Sequence, residues 1–506
     1  MAYKSDYSKD LFKQVQDLIN KCDNLSHEVK NVERRTAYKY EEQIKSLKKE
    51  HKEEVKRLEN KISNLENKVD KLEEENQKLK NDNDRLKKII NNDSNNSSKP
   101  PSSDIKRNIP NNKEKSNKKT GGQKGHQAHF LSKKEVEEKI KTKEFKHEII
   151  EVGDKANSRE YVSKYVLDLK VDIIAKEYRF FKNMNGKYNV SKEFYASVQY
   201  GNELKTMCAV LNTEGIVALD RLSDFVSCIS HGTIKTSKGS IINFLKDLDS
   251  KAQYIIDKIE EKILNTELLN TDATSGRCEN KNICIRTYST KLLTLLKATY
   301  GKSKKYIEEM NILNRYTGTL VHDHETVMYN YGTKHIECNV HITRYLKGCY
   351  ENTRNKWSLD MRSFLSCLNK HRKMLILNGI HKLSQEQLER YSKRYDAILK
   401  DGYNQNKKIN SKYLRQEEQR LLNRLTKYKE NHIMFLYDFS MPFDNNLSER
   451  DLRHVKIKQK VSGHFNSMEG MKIYLDIKSI IGTLKKQGRN FYKEIFNIYE
   501  NISVEI

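Results

Sequence analysis

The sequence has no apolar run of the length a membrane span requires, and residues 1–10 (MAYKSDYSKD) lack the apolar core of a secretory signal. Membrane-spanning and exported classes are set aside on that ground, and a cytoplasmic location with no membrane partner is expected. The eight cysteines, at positions 22, 208, 228, 278, 284, 338, 349 and 367, form no C-x-x-C pair. Such scatter excludes a disulfide framework and a ready-made zinc site, and it fits reduced thiols. Proline is scarce: of four residues, three (Pro100, Pro101, Pro110) lie close together. Acid is in deficit, with 69 Asp and Glu against 95 Lys and Arg, a formal charge of +26. A surplus of that size favours a polyanionic partner, nucleic acid ahead of an anionic membrane surface. At 506 residues the chain exceeds one ordinary domain, so about two to four units are expected.

What is present begins with a heptad repeat. With Val55 at position a, the a series reads Val55, Ile62, Val69, Asn76, Asn83, Ile90, and the d series is Leu58, Leu65, Leu72, Leu79, Leu86. β-Branched a residues over Leu at d favour two parallel strands, and Asn at a fixes register. The g–e pairs Lys61–Glu66, Lys68–Glu73, Glu75–Lys80 and Asp82–Lys87 are complementary, and only Glu54–Glu59 is repulsive. Ile44 and Leu47 continue the pattern upstream across a four-residue slip, a stutter that locally unwinds a supercoil. A parallel homodimer is expected. The coil stops at residues 91–103 (NNDSNNSSKPPSS), and residues 99–134 carry ten Lys or Arg against two acids. This segment buries too little apolar surface to order itself. It reads as a strap along a phosphate backbone, through Lys106, Arg107, Lys118, Lys119 and Lys124, or as a plain linker.

Downstream, Tyr165, Leu167, Leu169, Val171, Ile173 and Ala175 alternate with polar residues, which predicts a half-buried strand. Residues 201–265 read as helices, with Ser237 as an N-cap after the turn at Gly232. A helix-turn-helix and an ordinary helical pair both suit that stretch.

Residues 266–349 change character. Residues 268–274 (LLNTDAT) predict a short strand ending in an acid, and residues 283–288 and 292–300 two more strands. A helix over 303–313 leads to residues 318–323 (GTLVHD), a second strand ending in an acid, and a further strand over 335–340. This is the order of a ribonuclease H-like α/β sheet, in which acids at the carboxyl ends of neighbouring strands meet at one edge. Two such carboxylates repel unless a cation holds them, and hard ions such as Mg²⁺ or Mn²⁺ prefer oxygen ligands. A third acid is sought in residues 442–453 (PFDNNLSERDLR), where Asp444 or Asn445 caps a helix. That helix carries Glu449, Arg453, Lys456 and Lys460 along one stripe, with Arg450 beside them. Glu325, Asp438 and Asp444 are competing acids. Cys338 and His341 look like half a zinc site with no matching pair; the reading preferred is a strand-end cysteine and a helix-start histidine that orients a phosphate or an acid.

These motifs resemble those of transposases of the insertion-sequence-66 family of bacterial mobile elements. The resemblance rests on residues 96–104 (NSSKPPSSD), 121–131 (GGQKGHQAHFL), 318–323, Cys338 to His341 and 444–453 (DNNLSERDLR). It implies that Asp272, Asp323 and Glu449 take the acidic-triad positions of an enzyme that nicks element ends and joins the freed 3′-hydroxyls to target DNA. Partners so implied are double-stranded terminal repeats and target DNA, and small accessory proteins of the same element. Many relatives carry a cysteine-rich zinc module after the glycine-rich segment, but residues 132–200 contain no cysteine, so no zinc is expected. Ala273 and Thr274 stand where many relatives have Glu-Thr.

The expected organisation is therefore an α/β protein. A coiled-coil region (1–92) precedes a basic flexible linker (93–145), a small β-containing region (146–200) and a helical, possible DNA-binding region (201–265). The ribonuclease H-like core (266–349 and 438–506) is split by a helical insertion (350–437). In the insertion, Ser384 and Gln387 form a capping box, and Leu388, Tyr391, Tyr395 and Ile398 make an apolar stripe. Leu414, Leu421, Leu425 and Tyr428 suggest a second long helix, and Trp357 is read as core, with stacking on an everted end base as the alternative. The alternatives are a DNA-binding regulator that has lost catalysis and a junction nuclease that cuts without joining.

Overall fold

A computed structural model describes residues 4–93, 96–97, 131–151, 162–194 and 196–506. Lys106, Arg107, Lys118, Lys119 and Lys124 lie outside these residues. The chain divides into two units, Met1–Asn91 with Ile409–Glu417 and Asn92–Lys408 with Glu418–Ile506.

The first unit is dominated by one helix, α1 (Lys4–Asn91), 88 residues and about 130 Å long at about 1.5 Å per residue. Its leucines stand in solvent: Leu58, Leu65, Leu72 and Leu79 are 51%, 52%, 63% and 63% exposed. The apolar seam also extends beyond the heptads from Val55. Leu11, Val15, Leu18, Cys22, Leu25, Val29 and Val32 follow the same alternating four-three spacing.

In the second unit, Asn96 is nearly sealed and its Nδ2 donates to Glu351 at 2.6 Å. A Cβ on Gly348 would sit 2.4 Å from the Asn96 carbonyl oxygen, so only glycine admits this contact. The expected flexible linker is thus docked at its start. Near its end it is helical, because α2 (Lys133–Lys141) carries a capping box between Ser132 and Glu135.

The strand expected over 165–175 does not form. That run joins no ladder, Val166 and Leu169 are 92% and 87% exposed, and the region's pairing among the described residues is an isolated Lys182–Tyr188 bridge. Period two specifies which face would be buried but supplies no partner strand.

Three helices follow: α3 (Asn202–Thr213), α4 (Leu219–Ile229) and α5 (Lys238–Leu264). Ser237 caps α5 as expected, its side chain accepting from Ser240 N. From Ile241 to Ile263, α5 presents eight buried residues to the interior, so it is chiefly a core helix.

The sheet comprises β1 (Leu268–Cys278), β2 (Lys281–Ser289), β3 (Thr294–Thr299), β4 (Thr319–His322) and β5 (Lys334–Glu337), with α6 (Lys304–Glu309) between β3 and β4. Its order is β3-β2-β1-β4-β5; the first three are antiparallel, while β4 runs parallel to β1 and β5 to β4. Helix α7 (Asn339–Thr353) follows β5 directly. The insertion contains α8 (Lys356–Leu377), α9 (Gln385–Asn406), α10 (Lys412–Lys427) and α11 (Lys429–Tyr437). The chain ends in α12 (Asn446–Ser462), α13 (Met468–Lys486) and α14 (Phe491–Tyr499).

The two faces of the sheet serve different cores. Leu295 packs with α5 and α13, whereas its neighbour Leu296 joins Ile283, Ile285 and Leu452 and Val455 of α12, as alternation along a strand requires. The insertion has a third core around Trp357, which is fully buried and donates from Nε1 to Glu418 at 2.8 Å. Trp357 is therefore a packing residue and offers no face to a base. The capping box of Ser384 and Gln387 is present at the start of α9. No helix among the described residues is long and apolar enough to cross a membrane.

Candidate active site

Asp272 is not at a strand end, because β1 runs on to Cys278 through pairing with β2. What ends before it is the ladder with β4, whose last pair is Asn270–Val321. Asp272 lies two residues beyond that pair on β1, and Asp323 two residues beyond it after β4. Both acids therefore sit level, past the same rung. Asp272 is paired with Thr287, which shares by alternation the face of Ile285, the face covered by α12.

Helix α12 brings Glu449 to this edge in its first turn. The helix start is anchored by Asn445, fully buried, which donates from Nδ2 to the Thr271 carbonyl at 2.9 Å and accepts at Oδ1 from Asn270 Nδ2 at 2.9 Å. Asn445 thus locks the helix to β1, while Asp444 takes a turn role by accepting from Asn446 N at 3.1 Å.

His341, in the first turn of α7, stands between the acids. Its Nδ1 is 2.9 Å from Asp323 Oδ1 and 3.9 Å from Glu449 Oε1. The shorter approach has ion-pair distance without hydrogen-bond alignment, and all three atoms are buried with no hydrogen-bond partner among the described residues. Burial would hold the His341 imidazolium down, but Asp323 and Cys338 draw it up to about 11. Asp272 is pushed up to about 6 by burial and then by the Asp323 charge, with Glu449 adding to it and Ala273 N–H and Lys456 opposing. The three acids thus share one electrostatic environment.

The competing acids are otherwise engaged. Glu325 forms a two-pronged pair with the fully buried Arg286 of β2, at 3.0 and 2.9 Å, and Asp438 accepts from Ser440 N at 2.8 Å. The Arg286–Glu325 pair ties the segment after Asp323 to the sheet. Arg450, Arg453, Lys456 and Lys460 are exposed, whereas Lys458 turns inward, its Nζ donating to the Asn212 carbonyl at 3.3 Å; burial lowers it to about 8.

Sequence reasoning passed over one residue of consequence. Glu337 ends β5, fully buried, and accepts at Oε1 from His324 Nδ1 (2.8 Å) and from the Tyr329 hydroxyl. At Oε2 it meets Arg424 Nη2 (2.5 Å) and Nε (3.1 Å) and His432 Nε2 (3.2 Å). Burial would raise its pKa, yet His324, His432 and Arg424 hold it well below the carboxylate range. The available signal was an acid closing an apolar strand, the same signal that nominated Asp323.

No curated protein matches the chain. Residues 13–132 match a family of unknown function, DUF6444. Residues 197–473, which include all three acids, His341 and the whole sheet, match the transposase IS66 family. On that match, which spans more than half of its length, the chain belongs to the IS66 family of transposases, proteins of DNA transposition.

Proposed function

We propose that the chain cuts DNA at the ends of its element and transfers the freed strands into target DNA, with Asp272, Asp323 and Glu449 holding Mg²⁺ or Mn²⁺. The observation that carries this reading is the convergence of two buried carboxylate oxygens, Asp323 Oδ1 and Glu449 Oε1, on the edge where Asp272 lies; His341 is beside them, and neither has a hydrogen-bond partner among the described residues. The donors suit a hard cation, and the upward shift of Asp272, caused first by burial and then by the Asp323 charge, includes a like-charge repulsion that a cation relieves. Bound there, such ions activate an attacking oxygen and steady a leaving one in phosphodiester chemistry.

The remaining roles belong to the chain itself. His341 orients Asp323. Arg450, Arg453, Lys456 and Lys460, exposed along α12 from Glu449 onward, hold phosphates of the DNA beside the acids. Three antiparallel strands followed by two parallel ones, with acids level at one edge, support a ribonuclease H-like core. The exposed seam of α1 supports a parallel homodimer, or a larger assembly, and the basic residues 106, 107, 118, 119 and 124 add contacts to the DNA backbone.

The test is to replace Asp272 and Asp323 with Asn and Glu449 with Gln, singly, and to assay Mg²⁺-dependent cleavage and joining of terminal-repeat DNA. Each variant is expected to bind DNA, with affinity falling steeply as salt rises, and to give no product. Full activity in any one removes that residue from the mechanism. Binding without product in the wild type favours a silent regulator, and cut but unjoined ends favour a nuclease.

A further inference from the structure

Cys338 and His341 are half of a soft-metal site in the sequence, and the fold supplies the missing member. Cys338 precedes the first residue of α7, His341 lies in its first turn, and Asp323 follows β4 alongside. One ligand atom from each of the three lies within 4.8 Å of the other two. His341 is only 9% exposed, and its Nδ1, between the two carboxylates, has no hydrogen-bond partner among the described residues.

We propose that Asp323, Cys338 and His341 form a site for a borderline or soft divalent cation of the zinc class, and that filling it withdraws Asp323 from magnesium and silences the enzyme. Sulfur, imidazole nitrogen and carboxylate oxygen are the donors such ions select, whereas magnesium uses only the oxygen. Metal–ligand lengths of about 2.0–2.3 Å place tetrahedral donors about 3.3–3.8 Å apart, so the widest separation closes by at most about 1–1.5 Å while the 2.9 Å His341–Asp323 approach opens by about 0.5 Å. Glu449 Oε1, 3.9 Å from His341 Nδ1 and also unpartnered, is in reach of the fourth position. The Asn445 backbone N–H already donates to Cys338 Sγ at 3.3 Å, a contact that steadies a thiolate ligand. Binding releases two protons to solvent, one from the Cys338 thiol and one from Nδ1 of the His341 imidazolium, and leaves the remaining imidazole proton on Nε2. Arg344, whose Nη1 lies 3.4 Å from Nε2, must then turn aside.

The inhibition rests on Asp323 being a magnesium ligand, but the binding does not, and the two are tested separately. Full-length protein is titrated with Co²⁺, which reports a thiolate ligand through its charge-transfer absorption. One such cobalt per chain is expected, abolished in Cys338→Ser and His341→Ala and retained in Cys349→Ser. A missing band, or one indifferent to both Cys338→Ser and His341→Ala, overturns the site. In Mg²⁺-dependent cleavage of terminal-repeat DNA, Zn²⁺ is expected to inhibit the wild type at least tenfold more strongly than Cys338→Ser, each measured against its own uninhibited rate. Equal inhibition of the two overturns the regulatory step. A cobalt band with no Mg²⁺-dependent cleavage upholds the site and overturns the catalytic reading instead.

Discussion

Replacing Glu337 by Gln tests whether the helical insertion is locked to the sheet through one buried charge. The carboxylate is sealed, and its four partners come from both sides: His324 and Tyr329 from the segment after β4, Arg424 and His432 from α10 and α11. A glutamine keeps the shape but offers one acceptor oxygen and turns an NH₂ toward N–H donors on the other side. Arg424, with a side chain only 10% exposed, is left charged and unpaired. Breaking a buried pair from one side costs about 3–5 kcal/mol, and with a urea dependence of about 2–3 kcal/mol per molar the midpoint falls by about 1–2.5 M. Trp357 is the chain's sole tryptophan and lies in the insertion core, so its fluorescence reports this unfolding selectively. Because the folded pKa of Glu337 is depressed, its contribution is complete above the unfolded value of about 4.3 and is lost only as pH falls through the folded value. The difference between wild type and variant should therefore be flat from pH 6 to 8. Adding Arg424→Met should recover part of the loss, since it removes the orphaned charge. A midpoint shift under about 0.3 M would refute the lock.

Asp476 on α13 is raised to about 6 by burial and then by Asp249, so its stabilising share is intact below the unfolded value and is lost as pH rises through about 6. Asp476→Asn should accordingly raise stability at pH 8 by about 1–2 kcal/mol and flatten the pH 4–7 slope in thermal melts; a lower melting temperature at pH 8 would contradict it. Replacing Arg453, Lys456 and Lys460 together with Ala should make the log–log salt dependence of terminal-repeat binding shallower by up to about 3, and an unchanged slope removes the stripe from the DNA interface. Cys22 falls at a seam position of the upstream heptads of α1, where a parallel partner presents the same residue, so mild oxidation should yield a covalent dimer absent in Cys22→Ser. An antiparallel or monomeric chain would give no such species.

The features legible in the sequence were those decided within one turn or one strand. Ser237, Ser384 and Gln387 cap where expected because capping needs only the next three residues. The full length of β1 was hidden because residues 275–278 (SGRC) have little strand propensity and are held by their ladder to β2. The run at 165–175 shows the converse, a strand period with nothing to pair against.

The harder question is why, of three acids with the same local signal, two face the proposed site and one does not. Asp323 and Glu337 carry the same local signal, an acid after an apolar strand, and Asp272 was nominated in the same way. The registers separate them. Asn270 pairs with Val321, and Val321 with Ile336. Asp272 and Asp323 each lie two residues beyond this rung, but Glu337 lies one beyond it. Alternation therefore turns the first two to one face and Glu337 to the other. On one face α12 arrives with Glu449; the partners that hold Glu337 include Arg424 and His432, which follow it by 87 and 95 residues. No local reading of the strand could see those partners. The parity of the ladder decides which acids share a face, and a one-residue shift of β5 against β4 would exchange a structural acid for a fourth carboxylate on the face of the proposed site.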